Sequence, residues 1–430
     1  MPLVTPFVSL VVGLAGLGIV VSAGQRGGAF RASRDHPAIA YSTGAVSNVV
    51  SDLNDRIQAG ETELRFQGRG GYLDSVLRAL DVPVESQIAV FSKTSRQASE
   101  ITSKNPRAIF FGDTVAVGWV RDGDKLELAT QDRRQGTVFY TLTQTPADQP
   151  QFTRTDRCLA CHLSWDTLGV PGLQVLSVAP LSSDPTAYAT GFVSDHRSPL
   201  TERWGGWYVT GQVGSVAHMG NIEVTDVENP DATLGAVPPQ LDSLVGAFDL
   251  DGFPSEHSDV AALMVLEHQA GMTNLITRVG WEARRVEFRE SSSPGDGGLD
   301  LVTDAALQLV DYMLFVDEPP LPTKITGSSG FAEYFSAREP RDSRGRSLRE
   351  LDLERRLFRY RCSYMIYTDA FDALPVLAKD TVYARLWSVL SGQERDEVYA
   401  RLSRDDRQAI VEILRDTKTD LPIYFEDVGG

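Results

Sequence analysis

Two thiols and an imidazole stand within five residues of this chain, in Cys158-Leu159-Ala160-Cys161-His162. Two cysteines three positions apart, followed at once by histidine, form the attachment signature of a c-type haem. Each thiol adds across one haem vinyl group to form a thioether, and the histidine is placed to ligate the iron from one side. With three Cys and six His in 430 residues, chance would produce the pattern in roughly 3 of 10,000 such chains. Two other chemistries use similar residues. A dithiol redox motif normally opens a helix after a buried strand, whereas Gln151 to Arg157 is polar. A structural zinc site asks for four Cys/His ligands. Only Cys362 remains, among Tyr360, Tyr364 and Tyr367, where an inert buried thiol is expected.

The second axial position decides what such a haem does, because an open iron position admits a substrate. His218, in His218-Met219-Gly220-Asn221, is the first candidate for iron ligand beside His162, with Met219 as its neighbour. A second candidate is the stripe Met264, His268 and Met272, which shares one helical face and could roof a pocket. His196, between Asp195 and Arg197, reads as a loop residue in a local charge pair, and His36 as surface. Arg157, Arg197 and Arg203 are candidates for pairing a haem propionate. Trp204, Trp207 and Tyr208 are candidates for packing on the macrocycle.

Haem attachment of this kind takes place outside the bacterial cytoplasm. Residues 2–23 carry no charge, and Val21-Ser22-Ala23 offers small side chains ahead of Gly24. Residues 1–24 therefore read as a signal peptide or an N-terminal anchor, and the expected location is periplasmic or otherwise exported. The formal charge of −17 argues against nucleic acid, whose binding needs a basic surface. It suits attraction to a basic redox partner protein, which the sequence leaves unidentified. Any membrane attachment runs through the N-terminal segment.

The elements that must position the motif fall into two kinds. Short β-branched and aromatic runs at 87–93, 108–111, 115–120, 125–130 and 136–143, separated by turn residues, predict an antiparallel meander. Helices are expected at 46–59 and 72–80, and further strands at 173–180 and 204–211. From about residue 255 the period becomes helical, at 259–285, 299–315 and 376–390. Capping-box patterns at Ser347-Leu348-Arg349-Glu350, Ser391-Gly392-Gln393-Glu394 and Ser403-Arg404-Asp405-Asp406 predict helices over 347–373, 395–402 and 407–415. Residues 291–298 read as a solvated loop. The fold class is α+β: a strand-rich N-terminal half containing the haem segment, then a helical C-terminal half. The domain reading is 30–150 β-rich, 151–255 haem segment and 256–430 helical.

Arg157 to His162 resembles the haem-binding segment of exported bacterial c-type cytochrome domains. Pro106 to Val120, Arg197 to Asn221 with its Arg-Trp-Gly-Gly-Trp-Tyr-Val-Thr-Gly core, and Leu348 to Leu374 resemble a group of large single-haem bacterial proteins. The resemblance spans the chain from about residue 35 and implies one covalent haem c at Cys158, Cys161 and His162. It implies redox activity and supplies no substrate. Compact cytochromes c are helical, and here the motif sits deep inside a longer mixed chain. The leading expectation is single-electron transfer outside the cytoplasm. The alternatives are a haem redox enzyme or a gas-sensing haem module with an open or displaceable sixth iron position.

Overall fold

The computed structural model describes residues 30–179, 191–224, 237–292 and 298–426. The first and last residues of the chain, including the expected signal peptide or anchor at 1–24, lie outside the described residues, as does most of the loop expected at 291–298. Among the described residues no helix is long and apolar enough to cross a membrane.

The meander forms as its alternation predicts. Strands β1 (Ile88–Val90), β2 (Arg107–Phe111), β3 (Val115–Val120), β4 (Lys125–Asp132) and β5 (Gly136–Thr143) pair antiparallel in sequence order. Strand β6 (Thr153–Arg154) closes one edge on β5. After β7 (Leu176–Ser177) and β8 (Phe192–Val193), which pair with each other, β9 (Trp207–Tyr208) closes the other edge on β1. The sheet order is thus β6-β5-β4-β3-β2-β1-β9. The strands expected at 173–180 and 204–211 are therefore present only as two-residue pairings, and residue 180 lies outside the described residues.

Side chains alternate across the sheet with period two, so each face has its own cover. Ala108, Phe110, Val117, Trp119, Leu126, Leu128, Val138, Tyr140 and Leu142 form one face, buried under α1 (Val49–Gln58) and α2 (Leu73–Ala79). The opposite face carries Ile88, Val90, Phe111 and, on β5, Phe139. Against its Ile88 and Phe111 end pack the C-terminal helices: α4 (Val260–Ser292), α5 (Leu299–Met313), α6 (Phe331–Ala337) and α7 (Val376–Leu390). The one-turn helix α3 (Leu159–His162) sets Leu159 in the cluster that holds Phe139. One apolar cluster therefore joins the sheet to the helical half, across residue 256.

Helix α4 is 33 residues, about 50 Å at 1.5 Å per residue. Asp259 starts it: its Oδ1 accepts from the amides of Ala261 and Ala262, at 2.8 and 3.0 Å. Its first two turns, Val260 to Leu266, are buried on every side, as befits a helix lying between a sheet and another helix. The capping box at Ser403 holds, opening α8 (Arg404–Thr417) with reciprocal bonds between Ser403 and Asp406.

Two helix expectations fail, each because a tertiary contact outweighs a local signal. Over 347–373 the chain forms turns, an isolated bridge between Leu351 and Phe358, and only short helical turns at Tyr364–Tyr367 and Asp369–Asp372. Arg349 is pulled inward, bound to both carboxylate oxygens of Asp113 at 3.0 and 2.6 Å and lying 4.5 Å over the Tyr364 ring. Over 395–402 a single turn, Glu397–Tyr399, is capped by Asp396. There the Glu394 carboxylate binds Arg385 and the amides of Arg395 and Asp396, so the Ser391 box does not form.

Candidate functional site

The Cys-x-x-Cys-His segment is held by what comes before and after it. Strand β6 pairs Arg154 with Tyr140, and the amide of Thr155 donates to the Phe139 carbonyl at 2.9 Å, which aims residues 156–158 back over β5. Cys158 then caps the single turn α3, with the His162 amide on its carbonyl at 3.0 Å. Leu159 and Leu163 are buried in the core cluster that also holds Phe139 and Val170. Burying a leucine contributes about 1.5–3 kcal/mol, so these two anchor a turn too short to persist alone.

The turn leaves Cys158 half-buried and Cys161 exposed, both as free thiols. Burial, with the Glu127 carboxylate nearby, pushes the Cys158 thiol up to about 11. A dithiol oxidoreductase needs the opposite, a first cysteine held as thiolate at neutral pH. Cys362 is fully buried in the other core cluster, its thiol pushed up to about 12 by burial. It is thus the inert residue expected, and no fourth zinc ligand. Among the described residues no group of three or more His, Cys, Asp or Glu is arranged to hold a metal ion by itself.

His162 packs on Phe139, ring centroids 5.0 Å apart, and its Nδ1–H donates to the Gly172 carbonyl at 2.9 Å. A carbonyl can only accept, so Nδ1 carries the proton and Nε2 keeps its lone pair. Burial lowers the pKa of this ring, which keeps it neutral at physiological pH. That is the state a ligating histidine requires, with its second nitrogen fixed by a backbone carbonyl. The amide of Gly172 in turn donates to the His162 carbonyl at 2.9 Å, so the two residues are joined twice.

Arg107 of β2 and Glu127 of β4 form a 3.0 Å ion pair on the sheet face beside the motif. The guanidinium lies across Gly118 of β3, where a Cβ would meet its nitrogens at 2.3 and 2.7 Å. Its Nε–H is buried without a hydrogen-bond partner. Such a donor near Cys158 and the lone-pair imidazole of His162 fits a group carrying carboxylates. The residues present therefore fit a covalent haem c: Cys158 and Cys161 for the thioethers, His162 for the iron, Arg107 for a propionate.

The other candidates are placed differently. His218 is buried beyond β9, edge-on to Trp204 at 5.1 Å. Its Nδ1 accepts the Gly220 amide at 3.1 Å, and burial lowers its pKa to about 4. The neutral ring must then carry its proton on Nε2. His162 and His218 share no hydrogen bond or ring contact among the described residues. Met219 has its sulfur 3.7 Å from the Ser177 hydroxyl. His268 is fully buried with both nitrogens engaged, Nδ1 with His196 Nδ1 at 3.1 Å and Nε2 with Ser363 Oγ at 2.7 Å. Met264 and Met272 are core residues on the same helix.

His196 departs from its expected loop role. Asp195 and Arg197 pair with each other at 2.6 Å, while the imidazole turns inward against Tyr312 and His268. Arg203 is equally committed, to Glu267, the His196 carbonyl and the Ser198 carbonyl. Arg197 covers the Tyr312 ring at 4.8 Å, and Arg157 is exposed. Trp204 and Trp207 are core residues, Trp207 donating to the Leu176 carbonyl at 2.8 Å. The Tyr208 hydroxyl donates to the Ser103 carbonyl at 2.7 Å. His36 is partly covered, edge-on to Phe288.

Sequence reasoning missed Gly172, Arg107 and Glu127. The Pro171-Gly172 pair, ten residues after His162, is a turn signal that could have drawn attention to the first. Nothing in the local sequence marks the other two. Comparison with protein-family models, with curated proteins and with solved structures finds no match to this chain.

Proposed function

We propose that this chain binds one haem c covalently through Cys158 and Cys161, with His162 as axial ligand, and transfers single electrons outside the cytoplasm. The observation that carries the reading is the His162–Gly172 hydrogen bond, which leaves the Nε2 lone pair free on a neutral ring one residue from the second thiol. When bound, haem supplies a one-electron couple at its iron. The chain's own part is to hold the imidazole in one tautomer, raise its donor strength through the carbonyl, and offer Arg107 to a carboxylate. The acidic chain suits a basic partner as electron donor or acceptor.

One observation favours the second reading, a haem redox enzyme or gas-sensing module with an open or displaceable sixth position. To ligate iron, His218 would have to surrender the Gly220 bond and expose a nitrogen lone pair now used or protonated. Expression with a c-type maturation system, followed by pyridine haemochrome analysis and carbon monoxide titration, tests both. The expected result is one covalent haem per chain, lost in the double variant Cys158→Ala/Cys161→Ala. Wild-type protein without covalent haem would overturn both readings. Fast carbon monoxide binding to the reduced protein selects the second, and its absence selects a six-coordinate carrier.

A further inference from the structure

The carbonyl that sets the His162 tautomer is itself held from a distance. Leu173, the residue after Gly172, is gripped twice by Asn274 of α4. The Leu173 amide donates to Asn274 Oδ1 at 2.9 Å, and Asn274 Nδ2 donates to the Leu173 carbonyl at 2.7 Å. Both bonds span 101 residues of sequence. A primary amide presents one donor and one acceptor side by side, so it can pair a backbone unit as a neighbouring strand would. No other uncharged side chain except glutamine offers that pair.

Gly172 is fitted to the same grip. A Cβ at residue 172 would lie 2.1 Å from Asn274 Oδ1, so a side chain there would drive the amide off Leu173. The segment is also held by the Thr137 amide, which donates to the Pro171 carbonyl at 3.0 Å, by the Gly172 amide on the His162 carbonyl at 2.9 Å, and by Thr167, whose hydroxyl donates to the Val170 carbonyl at 2.8 Å. The chain of contact therefore runs Asn274 to Leu173, across one peptide unit to the Gly172 carbonyl, and from there to His162 Nδ1. Asn274 and Leu173 also line a cavity of about 390 Å³ whose wall includes Glu267, Tyr312 and the exposed Gln308. One side of the amide is thus open enough to tolerate small changes of shape and charge.

We infer that Asn274 is the positioning residue for the axial imidazole: its amide fixes the Gly172 carbonyl on His162 Nδ1 and so sets the electron donation of that ring to a bound haem iron. This rests on the haem reading proposed above. A hydrogen bond from Nδ1 to a fixed acceptor raises ligand basicity and favours the oxidised metal. Loosening the acceptor therefore raises the reduction potential.

The test uses the full chain in two forms. In holoprotein with covalent haem verified first, Asn274→Leu and Gly172→Ala should each shift the one-electron equilibrium about three- to tenfold toward reduction, tenfold being ~59 mV. Asn274→Asp keeps the acceptor for the Leu173 amide and should shift it less. Gln308→Ala, which lines the cavity without touching Leu173, should leave it unchanged. In full-length chain expressed without haem, nitrogen-15 NMR should find His162 in the Nδ1–H tautomer, and a mixture of tautomers in Asn274→Leu.

Covalent haem with an unshifted potential in both Asn274→Leu and Gly172→Ala would overturn the inference while leaving the haem reading intact. So would an Nε2–H tautomer in the wild-type chain, which needs no variant to fold. Absence of covalent haem strikes the function proposed above instead.

Discussion

His162 and His218 are both covered, both neutral by virtue of burial, and wired in opposite senses. At His162 the partner of Nδ1 is a carbonyl, so the outer nitrogen is a lone-pair donor. At His218 the partner of Nδ1 is an amide N–H, so the outer nitrogen is protonated. The difference does not come from the ring, its burial or its neighbours' charge. It comes from which end of a peptide unit the backbone presents. In the first case a turn ten residues away brings a C=O across. In the second the chain folds back so quickly that the amide two residues on is the group in reach. Histidine as a ligand is therefore a property of its second nitrogen's partner, and residue type alone is a weak guide to it.

The largest effect that could break the comparison is spectroscopic. His162→Ala should abolish the native axial field while thioether haem is retained, whereas His218→Ala should leave the visible spectrum unchanged. An optical spectrum of each holoprotein decides this, and the reverse pattern would make His218 the governing ligand. Next in size is the anchoring of the motif turn. Leu159→Ala removes a buried side chain beside Phe139 and should cost about 2–5 kcal/mol in urea unfolding, with haem attachment reduced in proportion to the loss of folded chain. A change below about 1 kcal/mol would mean that the turn is held by its hydrogen bonds alone.

The smallest effect sharpens the other side of the comparison. Burial lowers the His218 pKa to about 4 from an ordinary value near 6.5. Below pH 6.5 the unfolded chain binds this proton and the folded chain does not, so stability falls as pH drops from 6.5 toward 4. The slope is about 1.4 kcal/mol per pH unit for one such group. His218→Gln should remove one proton's worth of slope from unfolding curves measured across that window. An unchanged slope would show that the ring is not buried and neutral in solution. His196 and His268, also lowered by burial, add slope of the same sign and are unaffected by this substitution.

Much of the scaffold was legible because its signals are short-range. The meander from Ile88 to Thr143 follows from period-two alternation broken by turn residues, and α4, α5 and α7 from their apolar period. The Ser403 box formed its helix with Asp406 Oδ2 closing the cap while its Oδ1 reaches Arg356 at 3.3 Å. The Ser347 box makes its bonds, Glu350 Oε1 accepting the Ser347 amide at 3.1 Å and Ser347 Oγ the Arg349 amide at 3.2 Å, yet no helix follows, because Arg349 is drawn to Asp113 more than two hundred residues earlier. His196 looked like a loop residue between two charges and is buried. Asp195 and Arg197 do pair with each other, and the backbone between them turns the imidazole into the helical core.

The candidate site divides along the same line. Sequence by itself determined the chemistry available at residues 158–162, since two thiols and an imidazole on one turn need no tertiary contact to be adjacent. It also determined that Cys362 stands apart from them. Only the tertiary structure decided that the His162 proton sits on Nδ1, that Arg107 lies near Cys158 and His162 with a buried donor unpaired, and that Asn274 grips the peptide unit carrying the Gly172 carbonyl. The two hydrogen bonds join residues ten and 101 positions apart, and Arg107 reaches the site from a distant strand. Their pairing depends on where a sheet edge and a 33-residue helix come to rest, and no local pattern of side chains encodes it.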